Sequence, residues 1–344
     1  MTDATDEEFL VSLNGDEVSF RCGSGDTILR AGLRAGLPLP YECSVGACGT
    51  CRVEIASGRT ETLWAEAPGL TDRDRRRHRI LACQSRPLSD CSIKVHLETP
   101  VIPAYRPTRT AAVLRAMRDI TSDIREFSFS ATSSAQFHPG QYALLRLPGL
   151  EAPRAYSMSN IANEKGIWEF QIRRVPGGQG TGQLFSPRFI EGTTIELDGP
   201  FGLAHLRTDV ERDIVCIAGG SGLAPMVSIA RGAVREPTLA NRKLHFFYGA
   251  RTALDICGEE MLRELPGFSE RIRYEAAVST GSIDGSWRGW TGLIHHLVGA
   301  RMSTKLKDSE VYMAGPPPMI AASLNMLTAE YGVDRRHIHF DRFF

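Results

Sequence analysis

Between Phe9 and Cys22, apolar side chains alternate with polar ones on either side of Asn14-Gly15, which predicts two strands joined by a tight hairpin turn. Asp26 then precedes a short helical stretch that should end near Gly36 and Pro38. Further strands are expected over 51–55 and 93–97, so the first hundred residues predict one small domain, a helix packed on a few strands. Residues 98–107 hold Pro100, Pro103 and Pro107 without periodicity and read as a semi-extended linker. From Arg109 to about Leu206, short strands with turn signals recur at 111–117, 124–131, 142–147, 168–175 and 194–197, which predicts a small antiparallel barrel. After about Thr208 the pattern changes. Apolar strands at 214–218, 244–248, 272–278, 311–314 and 338–340 alternate with helical segments, the signature of a doubly wound parallel sheet. The expected organisation is a first domain over 1–98, a linker over 99–106, a barrel over 107–206 and an α/β domain over 207–344.

Bulk composition narrows the function. The chain has 344 residues, 42% hydrophobic and 23% charged, ordinary values for a globular protein. Its 40 basic and 40 acidic side chains cancel, which argues against nucleic acid as the main partner. The first twenty residues are acidic and lack an apolar core, so no signal peptide is expected. No apolar run approaches the roughly 18 residues of a membrane span, so a cytoplasmic location without membrane contact is expected. Eight cysteines in such a chain point to metal and free thiols rather than a disulfide framework.

Four of those cysteines carry the sharpest signal. Cys43, Cys48 and Cys51 stand four and two residues apart, and Cys83 follows after a long gap. This is the plant-type spacing for a [2Fe–2S] cluster, with three thiolates on one loop and a fourth from elsewhere. Such a cluster is negative and needs inward-turned backbone N–H groups, which a loop with Gly46, Gly49, Ala47 and Ser44 supplies. A zinc site more often shows two C-x₂-C pairs, and this segment has one. Cys91 competes with Cys83 for the fourth place, and spacing alone favours Cys83. Cys22, Cys216 and Cys257 read as buried or inert thiols. The charged run 72–79 reads as a solvated face, with a docking role as the alternative.

Two Gly-rich exits mark the α/β domain. The strand 214–218 runs into Gly219-Gly220-Ser221-Gly222-Leu223-Ala224-Pro225, a buried strand meeting a glycine turn and then a helix, which makes a pyrophosphate seat. The spacing is not G-x-G-x-x-G. A second strand leaves through Ala314-Gly315-Pro316-Pro317, and two such exits would line one crevice at the carboxyl ends of parallel strands. In the barrel, Arg154-Ala155-Tyr156-Ser157-Met158 places Arg154, Tyr156 and Met158 on one strand face and Ser157 on the other. Gly177-Gly178-Gln179-Gly180-Thr181-Gly182 then opens a helix, another anion seat.

Together these motifs resemble the ferredoxin–NAD(P)⁺ reductase superfamily, in its NADH-oxidising branch with an N-terminal plant-type ferredoxin domain. The likeness spans nearly the whole chain: the cysteine loop, Arg-x-Tyr-Ser at 154–157, Gly-Gly-Ser-Gly-x-Ala-Pro at 219–225, Tyr-Gly-Ala-Arg at 248–251 and Gly-Pro-Pro at 315–317. Leu63-Trp64, Ala67-Pro68-Gly69-Leu70 and the ending from Ile338 to Phe344 resemble the reductase components of soluble diiron monooxygenases of the toluene, alkene and isoprene type. The resemblance implies a β-grasp [2Fe–2S] ferredoxin domain, a six-stranded FAD barrel and an NAD domain. It places Arg154 on the flavin pyrophosphate, Tyr156 on the isoalloxazine, Ser157 at flavin N5, and Gly178 and Thr181 in the phosphate turn. Asp341 falls where relatives carry an acidic residue near the flavin, followed by Phe343 as a ring cover. Gly219, Gly220, Gly222, Pro225, Arg251, Gly315 and Pro316 fall at the NADH site. Relatives often carry Cys before the Gly-Pro pair, and this chain has Ala314.

The function so implied is electron flow from NADH to FAD to [2Fe–2S] to an external acceptor. A nicotinamide delivers two electrons and the cluster accepts one, so a flavin must stand between them. The expected partner is a diiron hydroxylase or a Rieske-type ferredoxin, with the chain acting as a monomer. Two alternatives are a reductase for an aromatic ring-hydroxylating dioxygenase and a redox sensor without turnover. NADH is expected over NADPH, because Arg251 is followed by Asp255, Glu259 and Glu260, a poor seat for a 2′-phosphate. His295-His296 and His337-x-His339 are expected to be structural. Residues 1–98 carry 12 basic against 15 acidic side chains, a balance of −3, and the electron-donating end is the most acidic part of the chain.

Overall fold

A computed structural model describes residues 7–15, 18–97, 104–280 and 287–344. The chain divides into two compact units, Met1–Arg109 and Thr110–Phe344. Of the linker expected over 99–106, residues 99–103 lie outside the described residues, as does part of the acidic start.

In the first unit, β1 (Glu8–Leu13) and β2 (Val18–Gly23) form the expected hairpin, followed by α1 (Ile28–Arg34). Then come β3 (Arg52–Ser57), β4 (Thr60–Thr62), α2 (Asp72–Arg75), β5 (Arg79–Leu81), β6 (Ser85–Pro87) and β7 (Cys91–Lys94). The main sheet runs β2-β1-β7-β3-β5, and β4 pairs with β6 apart from it. The parallel β1–β7 pair places the last strand between the hairpin and β3. The strand β7 ends at Lys94, earlier than the strand expected over 93–97. Thr27, not Asp26, caps α1 through its hydroxyl. Asp26 is instead a buried hub for Arg30, Arg34 and Arg109. Burial opposes its charge, yet Arg34 and Arg30 hold its carboxyl below the usual range.

The solvated-face reading of 72–79 fails at one residue. Asp74 is 4% exposed. It completes a capping box with Thr71 and pairs with Arg52 and Arg79 at 3.1 and 3.2 Å. A carboxylate with that many donors is satisfied inside, where a lone one would not be.

Six strands come next, the first of them starting in the last two residues of the first unit: β8 (Thr108–Asp119), β9 (Ile124–Ala131), β10 (Tyr142–Arg146), β11 (Arg154–Ser157), β12 (Ile167–Arg173) and β13 (Thr194–Phe201). A short helix, α3 (Gln179–Leu184), follows β12. The strand order is β11-β10-β13-β8-β9-β12, and an antiparallel bridge between Met158 and Phe170 joins its two ends into a barrel. Phe127, Phe129, Phe137, Leu145 and Phe170 fill the interior, at most 1% exposed.

A parallel sheet follows, ordered β17-β16-β15-β14-β18-β19. Its strands are β14 (Asp213–Gly219), β15 (Leu244–Ala250), β16 (Ile272–Val278), β17 (Trp290–Thr291), β18 (Ser309–Gly315) and β19 (Ile338–Arg342). The helices are α4 (Leu223–Arg235), α5 (Glu259–Arg263), α6 (Ile294–Met302) and α7 (Pro317–Asn325). β14 is apolar from Ile214 onward because both its faces are covered. Ile214, Cys216 and Ala218 pack with α4 and α5, whereas Val215 and Ile217 pack with α6 and α7. The strand order reverses between β14 and β18, so their carboxyl ends flank the crevice where such sheets take ligands.

Candidate functional site

The loop between α1 and β3 carries three of the four cysteines. It turns through left-handed residues at Ser44, Gly46 and Gly49, with φ of +55°, +91° and +79°. These turns aim amides at sulfur: Cys48 N donates to Cys43 Sγ, and Thr50 N to Cys48 Sγ, each at 3.4 Å. Cys83, on a helical turn after β5, stands with its Sγ 3.2 Å from Cys51 Sγ. The thiols thus fall into two pairs, Cys43 with Cys48 and Cys51 with Cys83. A hydrogen bond from the Cys43 thiol pushes Cys48 down to about 5, and the Cys83 thiol lowers Cys51 in the same way. Cys91 lies elsewhere, in β7, where its Sγ meets the Ser89 carbonyl at 3.4 Å. Among the described residues, no three His, Cys, Asp or Glu side chains converge on a single metal-ion position. Four thiols grouped two and two fit a two-iron cluster, two thiolates to each iron, better than one tetrahedral ion.

Gly69 closes this loop from outside. Its N–H donates to the Gly46 carbonyl at 3.0 Å, and a Cβ on it would fall 2.6 Å from Gly49 N. Trp64 lies against Gly46. The Leu63–Leu70 segment therefore packs on the cysteine loop, and only a glycine fits at the contact.

In the barrel, Arg154 and Tyr156 meet α3. A Cβ on Gly180 would fall 2.9 Å from both Arg154 Cγ and the Tyr156 hydroxyl. Arg154 donates to the carbonyls of Ala152 and Pro153 and to Gln179 Oε1. Thr181 braces the turn before it: its hydroxyl accepts from Val175 N at 3.1 Å and lies 3.2 Å from Val175 O. Gly178 stands at the N-terminus of α3. Burial lifts the Tyr156 hydroxyl to about 12, so its ring is a neutral face. Ser157, 6% exposed, ends the strand on the opposite side. Arg154, Tyr156, Gly178 and Thr181 are thus one cluster.

The two glycine exits also meet. A Cβ on Gly222 would overlap the Ala314 carbonyl, and one on Gly315 would fall 3.1 Å from Gly219 O. Gly220 and Gly315 have φ of +57° and +151°. Pro225 lies in the first turn of α4, where its missing N–H leaves no intrahelical bond broken. Pro316 stands just before α7. Asp341 pairs with Ala314 across β18 and β19, and Phe343 N donates to Gly315 O at 2.9 Å. The chain end is so held against the same crevice.

Family models match the chain in three blocks: a 2Fe-2S iron-sulfur cluster binding domain over 11–88, an oxidoreductase FAD-binding domain over 111–206 and an oxidoreductase NAD-binding domain over 216–324. The ferredoxin–NAD(P)(+) reductase CarAd of Metapseudomonas resinovorans is 39% identical over 94% of this chain and 96% of its own. The chain belongs to the ferredoxin–NAD(P)⁺ reductase family. The ferredoxin–NAD(+) reductase component of the alkene monooxygenase system of Xanthobacter autotrophicus is 38% identical over 95% of this chain and 98% of its own. A solved ferredoxin reductase in carbazole 1,9a-dioxygenase superposes with a TM-score of 0.90 at 36% identity, over 98% of this chain and 99% of that one. This reductase accordingly combines a 2Fe-2S domain, a near-closed six-stranded FAD barrel and a parallel-sheet NAD domain.

Several residues that organise the reductase gave no signal in its sequence. Ser228 on α4 donates to the Asn160 carbonyl at 2.6 Å and accepts from Gly140 N at 3.3 Å. Arg231 donates to the Ser159 carbonyl at 2.9 Å. These bonds tie the helix that leaves the Gly219–Gly222 turn to the segment that follows Ser157. His337 and His339 both contact the buried carboxylate of Glu310, at 2.8 and 2.6 Å, and His295 and His296 pack ring to ring. No helix among the described residues is long and apolar enough to cross a membrane.

Proposed function

We propose that this reductase takes electrons from NADH and hands them, one at a time, to the oxygenase component of a multicomponent monooxygenase. The observation that supports it most is the pairing of Cys43 with Cys48 and Cys51 with Cys83 in a chain whose helix α4 is bonded to the segment that follows the Arg154–Ser157 strand. When bound, FAD accepts two electrons from the nicotinamide and releases them singly to a cluster that carries one.

The chain's own residues hold these groups. Arg154, with Gly178 and Thr181, would seat the flavin pyrophosphate, Tyr156 would offer its face to the isoalloxazine, and Ser157 would hydrogen-bond at N5. Gly219, Gly220, Gly222 and Pro225 would form the nicotinamide pyrophosphate seat, Arg251 would stand at the ribose end, and Gly315 and Pro316 would shape the nicotinamide end. Asp341 supplies a buried carboxylate beside Ala314, and Phe343 would cover the ring. Ala314 puts a methyl where many relatives offer a thiol. Placement of the nicotinamide then rests on packing, and proximity carries most of such a transfer. We assign the ferredoxin domain to 1–98, the linker to 99–106, the FAD barrel to 107–206 and the NAD domain to 207–344, in a cytoplasmic monomer.

The acceptor is a diiron hydroxylase or its Rieske-type ferredoxin. A second reading, a dioxygenase reductase, is favoured by the likeness to the reductase in carbazole 1,9a-dioxygenase. NADH-driven turnover of a diiron hydroxylase against that of a ring-hydroxylating dioxygenase separates them, and NADH-driven reduction of a dye tests for turnover as such. Reduction of the dye alone would leave only an oxidoreductase without this partner, and failure with the dye would favour the sensor. The −3 balance of residues 1–98 implies docking on a basic surface of the acceptor. Acceptor reduction should then slow with salt, since screening shortens to roughly 3 Å at 1 M, while NADH-to-cluster transfer should not. Equal salt responses would remove the docking idea.

A further inference from the structure

Arg251 stands at the exit of β15, beside the Gly219–Gly222 turn that ends β14. In an open doubly wound sheet, this exit faces the adenosine ribose. A carboxylate there bonds the 2′-hydroxyl, and an arginine accepts a 2′-phosphate. Arg251 alone would therefore invite NADPH. Two carboxylates answer it. Asp123 Oδ2 lies 3.6 Å from an Arg251 terminal nitrogen, and Asp255 Oδ2 lies 3.9 Å from Arg251 Nε. Asp255 is held by its own turn, accepting from Thr252 N and the Thr252 hydroxyl, both at 3.0 Å.

Asp123 comes from the barrel, in the turn before β9. Its Oδ1 accepts from the Thr121 hydroxyl at 3.0 Å, which fixes the carboxylate plane. Its Oδ2 accepts from Arg173 Nε at 2.6 Å. Arg173, on β12, leans over the glycine turn, so that a Cβ on Gly220 would fall 3.1 Å from its Nη1. One barrel carboxylate thus spans two arginines that address two different parts of a dinucleotide.

We infer that Asp123 is a specificity-determining positioning residue. It neutralises Arg251 toward a 2′-phosphate while holding Arg173 over the pyrophosphate turn. The inference rests on the proposed nicotinamide seat at the exits of β14 and β15. A dianionic 2′-phosphate arriving at Arg251 meets Asp123 and Asp255 at the same place, whereas a 2′-hydroxyl finds acceptors there.

The test uses the flavin-loaded, cluster-loaded full chain and two redox-inert probes, ADP-ribose and 2′-phospho-ADP-ribose, by titration calorimetry. Asp123→Asn should shift the affinity ratio toward the 2′-phosphorylated probe by about three- to tenfold, the scale of one partly exposed charge pair. The kcat/KM ratio of NADPH to NADH in dye reduction should move the same way. Asp123→Glu should keep the wild-type ratio, and adding Arg251→Gln to Asp123→Asn should abolish the gain. An unchanged ratio in Asp123→Asn, including equal weakening of both probes, overturns the inference, as does a gain that survives Arg251→Gln. If Arg251→Gln alone alters the binding of neither probe, the proposed seat itself is wrong.

Discussion

The Ser228 hydroxyl donates to the Asn160 carbonyl oxygen at 2.6 Å, joining the helix of the glycine turn to the segment that leaves Arg154-Ala155-Tyr156-Ser157. Electron transfer between two bound cofactors depends on holding them in register. Here one hydroxyl serves both a carbonyl and the Gly140 N–H, and Arg231 adds a second tie to the Ser159 carbonyl.

Ser228→Ala should cost about 1–3 kcal/mol, because it leaves a buried acceptor and a buried donor without their partner. Calorimetric melting of the full chain reads this as a lower transition temperature. If the NAD helix is positioned as described, the KM for NADH should rise as well. A variant with wild-type melting and wild-type KM would show that the bond does neither task.

Cys83→Ser should abolish retention of the cluster, while Cys91→Ser should leave it intact. Cys83 lies beside Cys51, and Cys91 lies against the Ser89 carbonyl. Iron and sulfide content of the two purified variants decides between them. A normal complement of about two irons in Cys83→Ser would show that the fourth ligand is another residue.

Gly222→Ala should block nicotinamide use while sparing the flavin. The added methyl would overlap the Ala314 carbonyl, so the two strand exits must separate. Bound flavin, measured by absorbance after gel filtration, should stay near wild type, and NADH-dependent dye reduction should fall at least tenfold, the effect of about 1.4 kcal/mol. Full dye reduction in this variant would show that the crevice does not take the nicotinamide.

His205 should make the protein less stable in mild acid. Burial first, and Arg207 second, push it down to about 3 in the folded chain, against about 6.5 unfolded. The unfolded chain then binds more protons between these values. The contribution is fully present above about pH 6.5 and is lost as pH falls toward 3, by up to about 1.4 kcal/mol per pH unit. Melting curves of the wild type and His205→Gln from pH 7.5 to 4.5 should converge as pH falls. A constant gap between them would assign the acid loss to other groups.

Local signals were legible where chemistry fixes spacing. Cys43, Cys48 and Cys51 lie on one loop, and the hairpin at Asn14-Gly15 needs only adjacent residues, so both could be read directly. Asp74 could not, because its partners Arg52 and Arg79 come from strands on either side and turn a charged run into a buried cap. The hub role of Asp26 was equally hidden, because Arg34 and Arg109 reach it from 8 and 83 residues further along the chain. The bridge from Ser228 to Asn160 spans 68 residues, and that from Asp123 to Arg251 crosses from barrel to sheet. Neither leaves a pattern along the chain, because each depends on how two separate cores pack.

The barrel closes at one seam, where β11 and β12 are the two ends of the strand order and meet through Met158 and Phe170. Arg154–Ser157 therefore forms a strand edge, and such an edge is a template for pairing with another chain. A flavin seated along it would act as a shield against self-association as well as a redox group. Chains stripped of flavin should accordingly form larger species in light scattering and return to the size of the flavin-loaded protein when FAD is restored. Equal size distributions with and without flavin would remove this role.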